Sequence, residues 1–163
     1  MIAKTDKHQY YFQVQLNWQE GHKGILTAND VKDTIRVATP QEFEGGVPDM
    51  WSPEHLFLSS LSSSFMTTYL GLADKNNLAI AHYECSVIGQ IALVEGHLEF
   101  ININLFPKIY VDKQEEIAIA NDLLTKAYKQ CIIINSIKPH LIHHGQVLLN
   151  RHPIGAHSIT HAN

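Results

Sequence analysis

The groups in this chain able to do chemistry are two thiols, a dense set of serines and several histidines. Cys131 falls near the C-terminus of an expected helix, where the dipole disfavours a thiolate. It also lies on an apolar stripe, where a cysteine acts as a small hydrophobe, and Cys85 on a strand face reads the same way. Ser59, Ser60, Ser62, Ser63 and Ser64 crowd one helix. The G-x-S-x-G pattern of a nucleophile elbow is absent and no His–Asp partnership can be identified, so they read as packing residues. His140, His143 and His144 sit close together, with His152, His157 and His161 in the tail. Histidine is a common metal ligand. Here Pro139 opens the segment and the following residues alternate like a strand, which points His143 and His144 to opposite faces. No carboxylate or cysteine lies nearby in sequence. The cluster reads as surface, with no metal and no cofactor.

These residues hang on a short succession of elements. The central one runs from Trp51 to Ala73. Ser52 can cap the first turn, Pro53 suits the first helical position, and Glu54 lies where the dipole favours a negative charge. Leu58, Leu61, Phe65, Tyr69 and Leu72 form one apolar stripe. The serines between them let another backbone come close, which predicts a buried helix packed against a partner. Before it, Tyr10, Phe12, Val14, Leu16 and Trp18 alternate with polar or smaller neighbours, a strand with one buried face. Gly21 to Gly24 is a turn, Ile25 to Thr27 returns, and Thr34 to Ala38 makes a third strand with Ile35 and Val37 on one face. Thr39 to Met50, carrying Glu42, Glu44 and Asp49, is a loop that abuts the helix N-terminus. Such loops can line sites, but a simple connection is the favoured reading here.

After the helix, Tyr83 to Leu93 and Leu98 to Val111 alternate around a Glu95-Gly96-His97 hairpin turn. Pro107 predicts an edge or a bulge. Asp112 with Glu115 resembles a capping box for a second helix, whose stripe is Ile117, Ala120, Leu124, Ala127, Tyr128 and Cys131. Leu141 to Leu149 is a final strand. The order βββαββαβ predicts an α+β fold, a largely antiparallel sheet with two long helices. Residues 1–150 are expected as a single domain, followed by a loose tail over 151–163.

Composition narrows the partners. A net charge of −4 gives no encouragement to nucleic acid or an anionic membrane, and no apolar run approaches the length of a membrane span. Met1 to Gln9 is polar, without the apolar core of a signal peptide, so a cytoplasmic location with reduced thiols is expected.

The run Ser52-Pro-Glu-His-Leu-Phe-Leu-Ser-Ser-Leu-Ser-Ser-Ser-Phe65 resembles the signature of the OsmC/Ohr family of osmotically inducible and organic hydroperoxide resistance proteins. That family opens its central helix with Pro-Glu-x-Leu, followed by small residues and then Cys-Phe. Thr39-Pro-Gln-Glu-Phe-Glu-Gly-Gly46 resembles the preceding loop, and Cys131-Ile-Ile-Ile-Asn-Ser-Ile137 the second cysteine motif. The resemblance covers residues 10–149. It implies an OsmC-like domain over residues 1–150 and an intertwined homodimer with active sites at its interface. It also implies thiol-dependent reduction of organic hydroperoxides, in which a first cysteine becomes a sulfenic acid and a second resolves it. A dithiol then acts as reductant. Carried over by position, the site residues are Ser64, Cys131 and Glu54.

Position 64 departs from the pattern, because serine stands where the family has its peroxide-attacking cysteine. A hydroxyl cannot be oxidised as sulfur is, so the usual two-cysteine cycle cannot run. The supporting arginine is also missing, since the matching turn reads Gly21-His22-Lys23-Gly24. Three readings follow. The chain keeps the pocket for a small apolar or oxidised ligand, it works with Cys131 alone, or Ser64 is a recent or engineered change in a working peroxidase.

Overall fold

The structure, a computed structural model, describes residues 9–150; the expected tail over 151–163 and the first eight residues lie outside it. The chain forms two compact units, one up to Phe57 and one from Leu58.

In the first unit, β1 (Gln15–Glu20), β2 (Lys23–Ala28) and β3 (Val31–Ala38) make an antiparallel sheet in that order. Gly21, at φ +50°, turns β1 into β2. The expected strand beginning at Tyr10 is shorter than its alternation predicts. It starts at Gln15, and its apolar face is uncovered in the single chain, with Leu16 and Trp18 62% and 72% exposed. Alternation marks a face as apolar without saying what covers it. Ile35 is likewise exposed, whereas Val37 and Ala38 are buried. The Ala38 N–H donates to the Trp51 carbonyl at 2.9 Å, which closes the loop between them. Helix α1 (Pro53–Lys75) starts in this unit. The Ser52 hydroxyl accepts from the His55 N–H at 3.3 Å, and the Ser52 N–H donates to His55 Nδ1 at the same distance. The capping box therefore uses histidine as its third residue.

The second unit holds the rest of α1, β4 (His82–Val94), β5 (His97–Val111), α2 (Ile117–Gln130), β6 (His140–His143) and β7 (Gln146–Leu149). β4 and β5 pair along their whole length through a turn in which Glu95 and Gly96 both take positive φ. Gly89 of β4 leaves room where a Cβ would come within 2.5 Å of the Phe100 ring and 2.9 Å of Leu58. The single final strand expected over 141–149 is instead two short strands, each parallel to β5 and separated by His144 and Gly145. That split explains Pro107, which is not at an edge. β6 pairs β5 as far as Leu105 and β7 resumes at Lys108, so the proline's missing N–H falls in the gap. The bulge sits elsewhere, between Gln90 and Ile91.

The start of α2 also differs from expectation. Its box is formed by Lys113 and Glu116, not Asp112 and Glu115: the Lys113 N–H donates to Glu116 Oε2 at 3.3 Å, over a short 3-10 turn. Asp112 instead accepts from the Asn150 amide at 2.9 Å, which ties down the end of β7. The core gathers Leu61, Phe65, Tyr69 and Ala73 of α1, Ile103, Leu105, Ile109 and Val111 of β5, and Ala120, Leu123, Leu124 and Ala127 of α2. Burial of each large side chain stabilises the unit by about 1.5–3 kcal/mol. The Tyr69 hydroxyl donates to the Ala120 carbonyl at 3.3 Å, fastening α1 to α2.

Candidate functional site

Cys131 and Ser64, 67 residues apart in sequence, meet in the second unit. The Cys131 thiol donates to the Ser64 hydroxyl oxygen at 3.2 Å. Two helices bring them there. Phe65 and Leu61 are fully buried, and that fixes the rotation of α1 and leaves Ser64 half-buried beside the core. Cys131 caps the C-terminal end of α2, its N–H donating to the Ala127 carbonyl at 2.9 Å and its side chain fully buried. Thr67 and Thr68 both donate to the Ser64 carbonyl, at 3.1 and 2.8 Å, so serine at 64 sits on a helix whose small polar side chains are bonded back to its own backbone.

Tyr83 is the member of this region that sequence reasoning missed as a functional candidate. Its hydroxyl oxygen is buried with no hydrogen-bond partner of ordinary geometry. Burial first, and then the electrostatic and hydrogen-bond contact with Cys85, raise its pKa far above the usual phenol value, with smaller contributions from Cys131 and Tyr69. Through-space coupling to both sulfurs puts the phenol in the neighbourhood of each. Tyr69, whose ring lies 6.3 Å from that of Tyr83, is pushed up to about 12 by burial. The Cys85 thiol is also raised, mainly by burial, against the opposing pull of Tyr83 and of a Phe106 backbone bond. The signal for Tyr83 was its place two residues before Cys85 on the inward side of β4, where an aromatic must share the face with the thiol.

The arrangement gives one oxidisable atom, Cys131 Sγ, with a hydroxyl in contact. While the thiol is protonated Ser64 accepts; if the sulfur ionises, the hydroxyl can rotate and donate. His143 and His144 fall on the two faces that strand alternation requires. His143 is half-buried beside the Tyr128 ring at 4.9 Å, and burial lowers its pKa; His144 stacks on Phe106 at 4.6 Å.

Glu54, the third residue expected at the site, belongs to the first unit. It borders a cavity of about 360 Å³ together with Trp18, His22, Lys23, Phe43 and Pro53. Its Oε2 is buried and has no hydrogen-bond partner. The two residues in the turn where the arginine was expected have other partners: Lys23 pairs with Glu20 at 3.1 Å, and His22 Nδ1 meets the Thr39 hydroxyl at 3.2 Å. The loop expected before the helix lines a second cavity of about 410 Å³, from Pro40 to Glu42 and from Val47 to Trp51, with His55.

An α+β fold with a long central helix that brings its serine-rich middle to a thiol at the end of a second helix defines a recognisable class of protein. The profile of the OsmC-like protein family matches residues 46–143, and the chain belongs to that family. It is 18% identical over 132 residues to the uncharacterized protein YmaD of Bacillus subtilis, covering 79% of this chain and 87% of that one. Among solved structures, an OsmC-like protein of unknown function from Vibrio cholerae superposes with a TM-score of 0.73 at 14% identity, over 87% of this chain and all of the other. An organic hydroperoxide resistance protein from Elizabethkingia anophelis does so with a TM-score of 0.69 at 20% identity, over 89% and 100%. At such identities these structures establish a shared fold.

Proposed function

We propose that this protein consumes organic hydroperoxides with Cys131 as its one working sulfur, Ser64 serving as that sulfur's hydrogen-bond partner. The contact between Cys131 and Ser64 carries the reading, because it sets the only oxidisable atom of the pair against the position where the family keeps its peroxide-attacking thiol. The Cys131 thiol releases its proton to water and the thiolate attacks the peroxide ROOH, cleaving the O–O bond; the sulfur becomes a sulfenic acid and RO⁻ leaves, taking a proton back from water as ROH. A dithiol then displaces water from the sulfenic acid, forms a mixed disulfide, and closes on itself to return the Cys131 thiol. Glu54 is assigned a supporting role in the full site. Residues 1–150 act as a single OsmC-like domain in this reading, and the family profile, which runs across both units, supports that. Two chains form an intertwined homodimer in the cytoplasm; the exposure of Phe12, Val14 and Ile35 supports a partner surface. Among the described residues no helix is long and apolar enough to cross a membrane.

A second reading, a non-catalytic protein binding a small apolar ligand on the same scaffold, is favoured by one observation. Cys131 is fully buried at the C-terminal end of a helix, where a cysteine ordinarily packs as a small hydrophobe. The experiment that separates the two is consumption of cumene hydroperoxide with excess dithiothreitol by the chain and by Cys131→Ala. Turnover above the protein-free rate that disappears in the variant supports the single-sulfur enzyme. Equal background rates in both refute it and leave the binding protein.

A further inference from the structure

We propose that His55 is a pH-sensitive latch on the start of α1, holding the first turn and the loop before it while neutral and releasing them on taking a proton. The latch is built on Ser52, a polar residue that is buried. The Ser52 N–H donates to His55 Nδ1 at 3.3 Å. A backbone N–H only donates, so Nδ1 is the acceptor nitrogen and Nε2 carries the ring proton. The Ser52 hydroxyl lies 2.9 Å from the same Nδ1 and donates to it. Its oxygen accepts in turn from the His55 N–H at 3.3 Å, and the Leu56 N–H donates to the Ser52 carbonyl at 3.0 Å. Trp51, the residue before, joins this turn to β3. Its carbonyl accepts from the Ala38 N–H at 2.9 Å, and it forms an isolated parallel bridge with Val37.

A proton on Nδ1 reverses this arrangement. The new N–H faces two donors, and only the hydroxyl can turn to accept. The Ser52 N–H is left without an acceptor at a residue that water hardly reaches, and a positive charge stands on the first turn of α1, where the helix dipole opposes it. The groups that favour the charge are weaker. Glu42 and Asp49 line the same cavity as His55 but are exposed, so water and salt screen them. Trp51 meets His55 edge to face with ring centres 6.1 Å apart, beyond the roughly 6 Å reach of a cation–π contact. Glu54 is adjacent in sequence, and neighbours one apart on a helix do not face each other. The latch is therefore complete where histidine is neutral and is lost as pH falls through the range in which histidine gains its charge. His22 supplies the contrast. Its Nδ1 lies 3.2 Å from the Thr39 hydroxyl at the other end of the loop, and a hydroxyl serves either form of the ring. Glu54 lies inside the released turn, so its supporting role in the hydroperoxide reading shares the pH dependence of the latch.

The test is amide hydrogen exchange of the full-length protein, followed by NMR at about pH 7.5 and about pH 5, either side of the histidine range. Protection factors at Ser52, His55 and Leu56 should fall at least tenfold at the lower pH, while those of Leu61 and Phe65 further along α1 stay within about twofold. His55→Gln keeps an acceptor for the Ser52 N–H, as glutamine does in an ordinary capping box, and has no proton to gain. Its first turn should match the parent at neutral pH and stay protected in acid. His55→Ala should be poorly protected at both pH values, and His22→Gln should switch as the parent does. Four results would each overturn the proposal: first-turn protection in the parent that ignores pH, an equal fall in His55→Gln, full protection in His55→Ala, or a fall shared by Phe65. The measurement uses resting protein and so stands apart from the hydroperoxide reading, since absence of turnover refutes that reading and leaves the latch intact.

Discussion

Replacing Ser64 by cysteine puts a second sulfur against Cys131, within reach of a disulfide. The present Sγ···Oγ separation is 3.2 Å, and a disulfide at about 2.05 Å requires the two atoms to close by roughly 1.2 Å. The longer C–S bond supplies part of that closure, and a χ1 rotation of residue 64 on α1 the rest. The loop closed is 67 residues. Loss of chain entropy from the unfolded state then stabilises the oxidised form by up to about 4.4 kcal/mol. For a chain of this size that is a rise in melting temperature of about 10–15 °C over the reduced form. The assay is calorimetry of Ser64→Cys with and without reductant, with peptide mapping by mass spectrometry under non-reducing conditions. The same variant should consume hydroperoxide faster than the parent, since attacking and resolving sulfurs are then both present. A Ser64→Cys chain that stays fully reduced under mild oxidant, or that links Cys85 instead of Cys131, would refute the placement of α1 against the end of α2.

Two further outcomes follow from single side chains. Tyr83→Phe removes a buried hydroxyl whose hydrogen-bond contact is the weak one to the Cys85 sulfur, so it should leave stability unchanged or raise it by about 1 kcal/mol, read as a melting temperature 2–4 °C higher; a clear loss would mean the hydroxyl is strongly bonded. His143 has its pKa lowered by burial, so the unfolded chain binds its proton at higher pH than the folded one. Its contribution to stability is therefore complete above the unfolded value of about 6.5 and declines as pH falls below it. A His143→Phe chain should lose that part of the slope in melting temperature against pH between 7 and 5, and an unchanged slope would sink the assignment.

Much of this protein was legible in its residue order. The cap at Ser52 and Pro53, the stripe Leu61, Phe65 and Tyr69, the Glu95-Gly96 turn and the inward side of β4 as far as Ile91 follow from local rules of period and capping, whereas Leu93, past the bulge, is exposed. The errors cluster where a neighbour in space decides. Pro107 reads locally as an edge residue; it is central because β5 exchanges one parallel partner for another beside it. Asp112 reads as a cap, but Asn150 competes for its carboxylate and Lys113 takes the capping position.

The candidate site divides the same way. Sequence alone determined that sulfur is absent at position 64, that the chain's thiols are Cys85 and Cys131, and that the turn at Gly21 to Gly24 holds no arginine, since these are facts of residue type. Only the tertiary structure decided that the Cys131 thiol donates to Ser64, that Tyr83 lies buried within the influence of both sulfurs, and that Glu54 keeps an oxygen without a donor. Residue types set which bonds can be made or broken. The packing of α1, α2 and β4 sets which groups are close enough, and dry enough, for that chemistry to matter.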